Sequence, residues 1–224
     1  MDERKPNECK SPLPGIACVL FDLDGTLIDT IHLIYRSFDY AVKTVLGQSL
    51  SKKQLLQNIG RPLRDQMESF SPEKVEELMA AYNHDNLAKH DANVKPYPHA
   101  VETLKWLKLG RAKTVGIVTS KQRNLALRGL EITGLSPYVD VVIAMEDTTR
   151  HKPEPEPVRE ALHHLHCEPR AALFIGDSPF DLAAGRAAGT YIGAAYWGPF
   201  DPKELRAFDP DVNLSDLSEL RRRL

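Results

Sequence analysis

No long hydrophobic run occurs in this sequence. Nothing in its 224 residues approaches the roughly 20 consecutive apolar residues of a membrane-spanning helix, so a membrane is not an expected partner. The first residues, MDERKPNECKSPLPG, lack the apolar centre of a signal peptide, and residues 1–14 read as a loose polar tail. Cysteine is scarce. Cys9, Cys18 and Cys167 are widely spaced and form no CxxC, which argues against a disulfide framework and fits a reducing cytoplasm. Neither sign of charge dominates: 29 Lys and Arg stand against 31 Asp and Glu, a net charge of −2. Without a basic face, nucleic acid is not expected as a partner. The arginines of the final ELRRRL read as the solvated face of a last helix. Internal repeats and low-complexity tracts are also lacking.

What is present is apolar material, at 42% of residues, ample for a core. The length suits one large domain, or a core carrying an inserted module. The run IACVLF, residues 16–21, reads as a buried strand that leads straight into the acids Asp22 and Asp24. A helical stretch follows. Ile31, Ile34, Phe38, Val42 and Val45 recur at helical spacing until Gly47. Ser51 and Gln54 form a capping box for a second helix. RPLRDQMESF reads as a third. Ser71-Pro72 opens a fourth, with Val75, Leu78, Met79 and Tyr82 on one face.

Strands and helices then alternate. TVGIVTS, YVDVVIAM, AALFIGDS, TYIGAAYWG and PDVNL read as strands, with helical segments between them. The pattern predicts an α/β fold, a Rossmann-like doubly wound parallel sheet carrying an inserted all-helical cap domain. Residues 15–29 and 97–224 form the expected core, and residues 30–96 the cap.

Ligands in such sheets bind beyond the carboxyl ends of the strands. The polar clusters fall at those ends: Asp22 and Asp24 after the first strand, Thr119 and Ser120 after TVGIV, Lys152 in a later loop, and Asp177 with Asp181 after AALFIG. Asp22 and Asp24 are two apart, so in extended chain they face the same way. Carboxylates gathered together raise one another's pKa unless a cation neutralises them. Mg²⁺ suits such a cluster, because it is hard, prefers oxygen, and takes one or two carboxylates with waters and phosphate oxygens. An aspartate can attack phosphorus while a second carboxylate moves the leaving-group proton. A lysine and a hydroxyl can stabilise the transferring phosphoryl group.

Simpler roles exist for each piece. DGT is a turn signal, Thr119 and Ser120 suit a helix cap, Lys152 sits among prolines, and Asp177 and Asp181 suit a helix start. An EF-hand loop is excluded, because its sixth and twelfth positions would be Leu27 and Leu33. His151, His163, His164 and His166 lack further ligands at matching spacing and read as non-ligating.

Taken together and in order, DLDGT, the Thr119 of VTSK, the Lys152 of HKPEPEP, and GDSPFD resemble the motifs of the haloacid dehalogenase superfamily of phosphohydrolases. The resemblance runs from about Gly15 to the end, with the helical insertion where that superfamily carries its helical cap. It implies that Asp22 is the nucleophile and a Mg²⁺ ligand. Asp24 is then the general acid/base and offers its backbone carbonyl to the metal. Thr119 and Ser120 bind substrate, Lys152 pairs with Asp22 and the phosphoryl group, Asp177 ligates Mg²⁺, and Asp181 is a weaker ligand or orients Lys152. The acid at Asp24 separates the chain from the dehalogenases and points to phosphate chemistry. Arg61, on the bend of NIGRPLRDQM, is the expected contact for the substrate's non-transferring end, with Arg64 second to it.

Within the superfamily, the layout looks most like the phosphoglycolate phosphatase branch, including its inorganic pyrophosphatases. The expected activity is Mg²⁺-dependent hydrolysis of a small phosphorylated anionic metabolite such as phosphoglycolate, with pyrophosphate as the alternative. A beta-phosphoglucomutase-like phosphomutase and a non-catalytic binding protein are more distant readings. A monomer or small homo-oligomer in the cytoplasm is expected.

Overall fold

A computed structural model describes residue 13, residues 15–111 and residues 113–224. Apart from Leu13, the expected tail and its Cys9 lie outside the described residues.

The chain begins with β1 (Cys18–Phe21) and a short β2 (Ile28–Asp29). Four helices follow: α1 (Ile31–Leu46), α2 (Lys52–Leu56), α3 (Leu63–Phe70) and α4 (Val75–Asn93). Gly47 ends α1 in the left-handed region, φ 65°, and the Ser51–Gln54 capping box opens α2 as expected. Pro72 starts a 3₁₀ turn over Pro72–Lys74 that leads into α4. The chain returns through β3 (Lys95–Pro96), antiparallel to β2. This two-stranded ribbon carries both crossings between the helical block and the rest.

There follow α5 (Ala100–Lys105), β4 (Thr114–Val118), α6 (Arg123–Ile132), β5 (Val141–Ile143), α7 (Glu156–His164), β6 (Ala172–Gly176), α8 (Pro179–Ala188), β7 (Tyr191–Ala195), α9 (Pro202–Arg206) and β8 (Val212–Leu214). Among the described residues the main sheet has six strands in the order β5-β4-β1-β6-β7-β8, every pairing parallel. β5 is shorter than YVDVVIAM suggests, because Asp140 turns aside to accept a hydrogen bond from Val115 N at 2.8 Å. The last segment, Leu217–Arg222, is a 3₁₀ turn rather than an α-helix.

Successive strand residues face opposite sides of the sheet. In β1, Val19 and Phe21 join Leu104, Leu107, Ala126 and Leu130 of the α5 and α6 side. Cys18 and Leu20 join Val158, Leu162, Ala184 and Ala188 of α7 and α8. Helices therefore cover both faces, as a doubly wound sheet requires. The α1–α4 block has its own apolar cluster, with Phe38, Val42, Leu55, Met67 and Leu78 at its centre.

Candidate active site

β1 lies at the middle of the sheet, with β4 and β6 as its neighbours, so the chain order reverses about it. The carboxyl ends of these strands form the crevice where such folds bind ligands. The main chain anchors the site there: Asp22 N donates to Ile175 O at 2.9 Å, and Thr119 N donates to Ile143 O at 2.9 Å. Residues remote in sequence are thus fixed by ladder hydrogen bonds to one rim.

Lys152 is the hub. The residue is 2% exposed, and its ammonium donates to Asp22 Oδ1 at 2.6 Å, to Asp181 Oδ1 at 2.6 Å and to Val118 O at 3.2 Å. Burial alone would lower its pKa, but the Asp181 and Asp22 carboxylates outweigh burial and hold it above its ordinary value. Asp181 is fixed from its other side: its Oδ2 accepts from Ser178 N at 3.0 Å and Ser178 Oγ at 2.5 Å. Asp177 accepts from Thr26 Oγ1 at 2.6 Å.

Asp22, Asp177 and Asp181 each offer a carboxylate oxygen, all within 4.8 Å of one another. Among the described residues, one ammonium, that of Lys152, faces these three buried acids. Burial, partly offset by Lys152, pushes Asp22 up to about 7, and burial with the Asp22 charge raises Asp177 well above the usual carboxylate range. Such a set is short of positive charge, and hard oxygen donors at this spacing fit a divalent cation such as Mg²⁺. The histidines do not enter this cluster. Two glycines make room for Asp177. A Cβ on Gly25, where φ is +94°, would lie 2.5 Å from Asp177 Oδ2, and one on Gly198 would lie 2.4 Å from it.

Asp24 stands apart from the hub. Its Oδ1 accepts from Thr30 Oγ1 at 2.6 Å and from Lys121 Nζ at 2.8 Å. Thr30 sits where β2 passes into α1, so the acid is tied to the entrance of the helical block. Sequence reasoning passed over Lys121, Thr26, Thr30 and Ser178. The readable signal was Lys121 directly after Thr119-Ser120, at the carboxyl end of a central strand.

A cavity of about 270 Å³ runs from Asp22 and Asp24 up to the helical block. Thr119, Ser120 and Lys121 line its lower wall, and Arg61, Gln66 and Tyr82 its upper one. Thr119 Oγ1 accepts from Lys121 N at 3.2 Å. Ser120 Oγ donates to Gly60 O at 2.7 Å, so that hydroxyl holds the Asn58–Pro62 bend against the core. Gly60 takes φ +99°, and a Cβ there would approach Ser178 Oγ to 3.1 Å. Arg61 pairs with Asp65 at 3.1 Å, whereas Arg64 pairs with exposed Glu76.

Residues 19–195 match the model of the haloacid dehalogenase-like hydrolases. The chain belongs to that family. Relatives extend over its length: a protein from Anoxybacillus flavithermus named pyrophosphatase PpaX is 38% identical over 92% of this chain and 95% of its own, and one of the same name from Bacillus velezensis is 37% identical over 92% and 94%. A solved structure described as a predicted phosphoglycolate phosphatase from Haemophilus somnus superposes with a TM-score of 0.84 at 20% identity, covering 93% of this chain and 98% of that one. At that identity the likeness concerns the fold. The chain is thus a hydrolase of phosphate esters or diphosphates, built on the α/β fold its sequence implied. No helix among the described residues is long and apolar enough to cross a membrane.

Proposed function

We propose that this protein is a Mg²⁺-dependent hydrolase of pyrophosphate that works through an aspartyl-phosphate on Asp22, acting in the cytoplasm as a monomer or small homo-oligomer. The observation that carries the chemistry is the Lys152 hub: an ammonium bonded at 2.6 Å to Asp22, with Asp24 two residues on and facing the same cavity. The relatives named pyrophosphatase, alike over 92% of the chain, favour this substrate.

Asp22 attacks one phosphorus. An O–P bond to Asp22 forms as the bridging P–O bond breaks, and Asp24 gives its proton to the departing phosphate. Asp24 then takes a proton from the water that attacks the aspartyl-phosphate, releasing the second phosphate and restoring Asp22. Lys152 offsets charge on Asp22 and on the phosphoryl group, and Thr119 donates its hydroxyl to a phosphoryl oxygen. Lys121 and Thr30 position the Asp24 carboxyl. Asp22, Asp177 and the Asp24 carbonyl would hold Mg²⁺, with Asp181 orienting Lys152, since Lys152 and Ser178 occupy its two oxygens. When bound, the cation neutralises charge on the phosphoryl oxygens. Ser120 acts mainly as the clasp on Gly60, and Arg61 meets the non-transferring end of the substrate.

A second reading, hydrolysis of 2-phosphoglycolate, is favoured by Arg61 at the cavity wall, because a guanidinium binds carboxylate as readily as phosphate. Phosphate release from pyrophosphate, 2-phosphoglycolate, several sugar phosphates and p-nitrophenyl phosphate, with and without Mg²⁺, tests both. Pyrophosphate is expected to lead, with all activity lost in Asp22→Asn. Activity surviving in that variant would refute the nucleophile assignment.

A further inference from the structure

Two residues of the upper wall of the cavity, Arg61 and Gln66, each carry a side-chain polar atom that is buried without a protein partner among the described residues: Arg61 Nε and Gln66 Oε1. Gln66 is 6% exposed and sits on α3, one turn beyond Arg61. Its amide cannot be turned end for end. The carbonyl oxygen of Arg61 lies 2.7 Å from Gln66 Nε2, and a carbonyl only accepts, so the nitrogen must face it. The other end, Oε1, is therefore an acceptor. On Arg61, a terminal amino group is engaged by Asp65, and among its other donors the Nε hydrogen is the one buried without a partner. Folded chains rarely bury an unpaired donor or acceptor, and one of each on neighbouring residues of a cavity wall suits a ligand whose arrival turns both towards it and completes both.

We propose that Gln66 is a specificity-determining residue. With Arg61 Nε–H as donor and Gln66 Oε1 as acceptor, the wall selects a non-transferring group that carries both an acceptor oxygen and a hydrogen, namely the P–OH of a protonated diphosphate end. The inference rests on the phosphate-hydrolase reading of this site and names the feature by which the site separates the two substrates. Arg61 receives an oxygen from either one. Gln66 Oε1 receives a hydrogen from P–OH, but it would face a bare carboxylate of phosphoglycolate oxygen to oxygen. Sites built to bond a substrate hydroxyl reject analogues without it far more strongly than apolar pockets distinguish shapes.

The test is direct binding to the Asp22→Asn protein by calorimetry with Mg²⁺, at about pH 6, near the second ionisation of a phosphate. The probes are pyrophosphate and 2-phosphoglycolate. Adding Gln66→Met removes the acceptor at similar length. Pyrophosphate affinity is expected to fall at least about tenfold and phosphoglycolate affinity less than about threefold. The ratio is the readout: loosening of the Asn58–Pro62 bend, through the lost Gln66–Arg61 bond, weakens both ligands alike because Arg61 serves both. Equal losses, or none, overturn the inference. Should Gln66→Met fail to fold, Gln66→Asn keeps the amide but withdraws it by one methylene, and the same ratio decides. If wild type releases phosphate from pyrophosphate and the ratio does not move, only the Gln66 assignment falls. If wild type hydrolyses neither compound and Asp22→Asn binds neither, the proposed function falls, and this inference with it.

Discussion

Lys152→Met removes the ammonium that contacts both Asp22 and Asp181 while keeping an unbranched side chain of similar length. In EDTA at pH 8, the variant must then bury Asp22, Asp177 and Asp181, each at most 5% exposed, without a cation. Removing one partner of a buried pair costs about 3–5 kcal/mol, and that is the expected loss of unfolding free energy by urea titration. The loss should shrink to about half or less at pH 5.5. Burial sets Asp22 at about 7 even with Lys152 beside it, so at pH 5.5 the folded state already holds that carboxyl protonated and the lysine has less charge to neutralise. Phosphate release should fall roughly 100- to 1,000-fold, as when one charge-stabilising donor is removed from a reaction site. A loss below about 1 kcal/mol at pH 8, or the same loss at both pH values, would place Lys152 among ordinary surface cations and refute the reasoning.

Without divalent cations the wild type should lose stability as pH rises from about 4 through about 7. Asp22 and Asp177 have folded-state pKa values above their unfolded ones, so their contribution is complete below the unfolded value and is lost as pH passes the folded one. Thermal melts in EDTA across that range should show the fall, and Mg²⁺ should flatten it; a rise with pH in EDTA would contradict the burial argument. Gly25→Ala places a Cβ 2.5 Å from Asp177 Oδ2 at φ +94°, so it should displace that carboxylate and weaken Mg²⁺ activation, read as a rightward shift in the Mg²⁺ titration of activity. Ser120→Ala removes the 2.7 Å bond to Gly60 O and should cost only about 0.5–1.5 kcal/mol in global stability, while amide hydrogen exchange at residues 58–61 accelerates. Phe38→Ala, at the centre of the α1–α4 cluster, should cost about 3–5 kcal/mol and expose that block to proteolysis before the sheet.

Apart from Lys152, far along the loop after β5, and Arg61 of the helical block, the parts of the site that were legible in the sequence share one property: each lies on, or within a few residues of, the carboxyl end of a strand whose apolar run is itself legible. Asp22 follows CVLF and Asp177 follows ALFIG, so periodicity alone places them at strand ends. Thr30 and Ser178 hold acids close to them in sequence and went unread although local, whereas the other hidden parts depend on which elements become neighbours. Lys121 meets Asp24 from 97 residues away, because β4 pairs beside β1. Thr26 reaches Asp177 across 151 residues because β6 flanks β1 on the other side. Pairing order is a long-range choice, and no local pattern in DLDGT or VTSK carries it. The same limit applies to Ser120: it lines the cavity beside Thr119, and no local pattern shows that its hydroxyl also donates to Gly60 O across the cleft. The glycines show the limit most plainly. Gly25 is legible as a bend, since a residue after two acids at a strand end needs freedom to turn, but Gly198 has no such local signal. It stands 21 residues beyond Asp177 and is required by closeness alone, because a side chain there would occupy the space of the carboxylate. Local pattern therefore identified the reacting groups, whereas Lys121 and Thr26, which reach them from remote strands, and the room the acids need follow only from the assembled sheet.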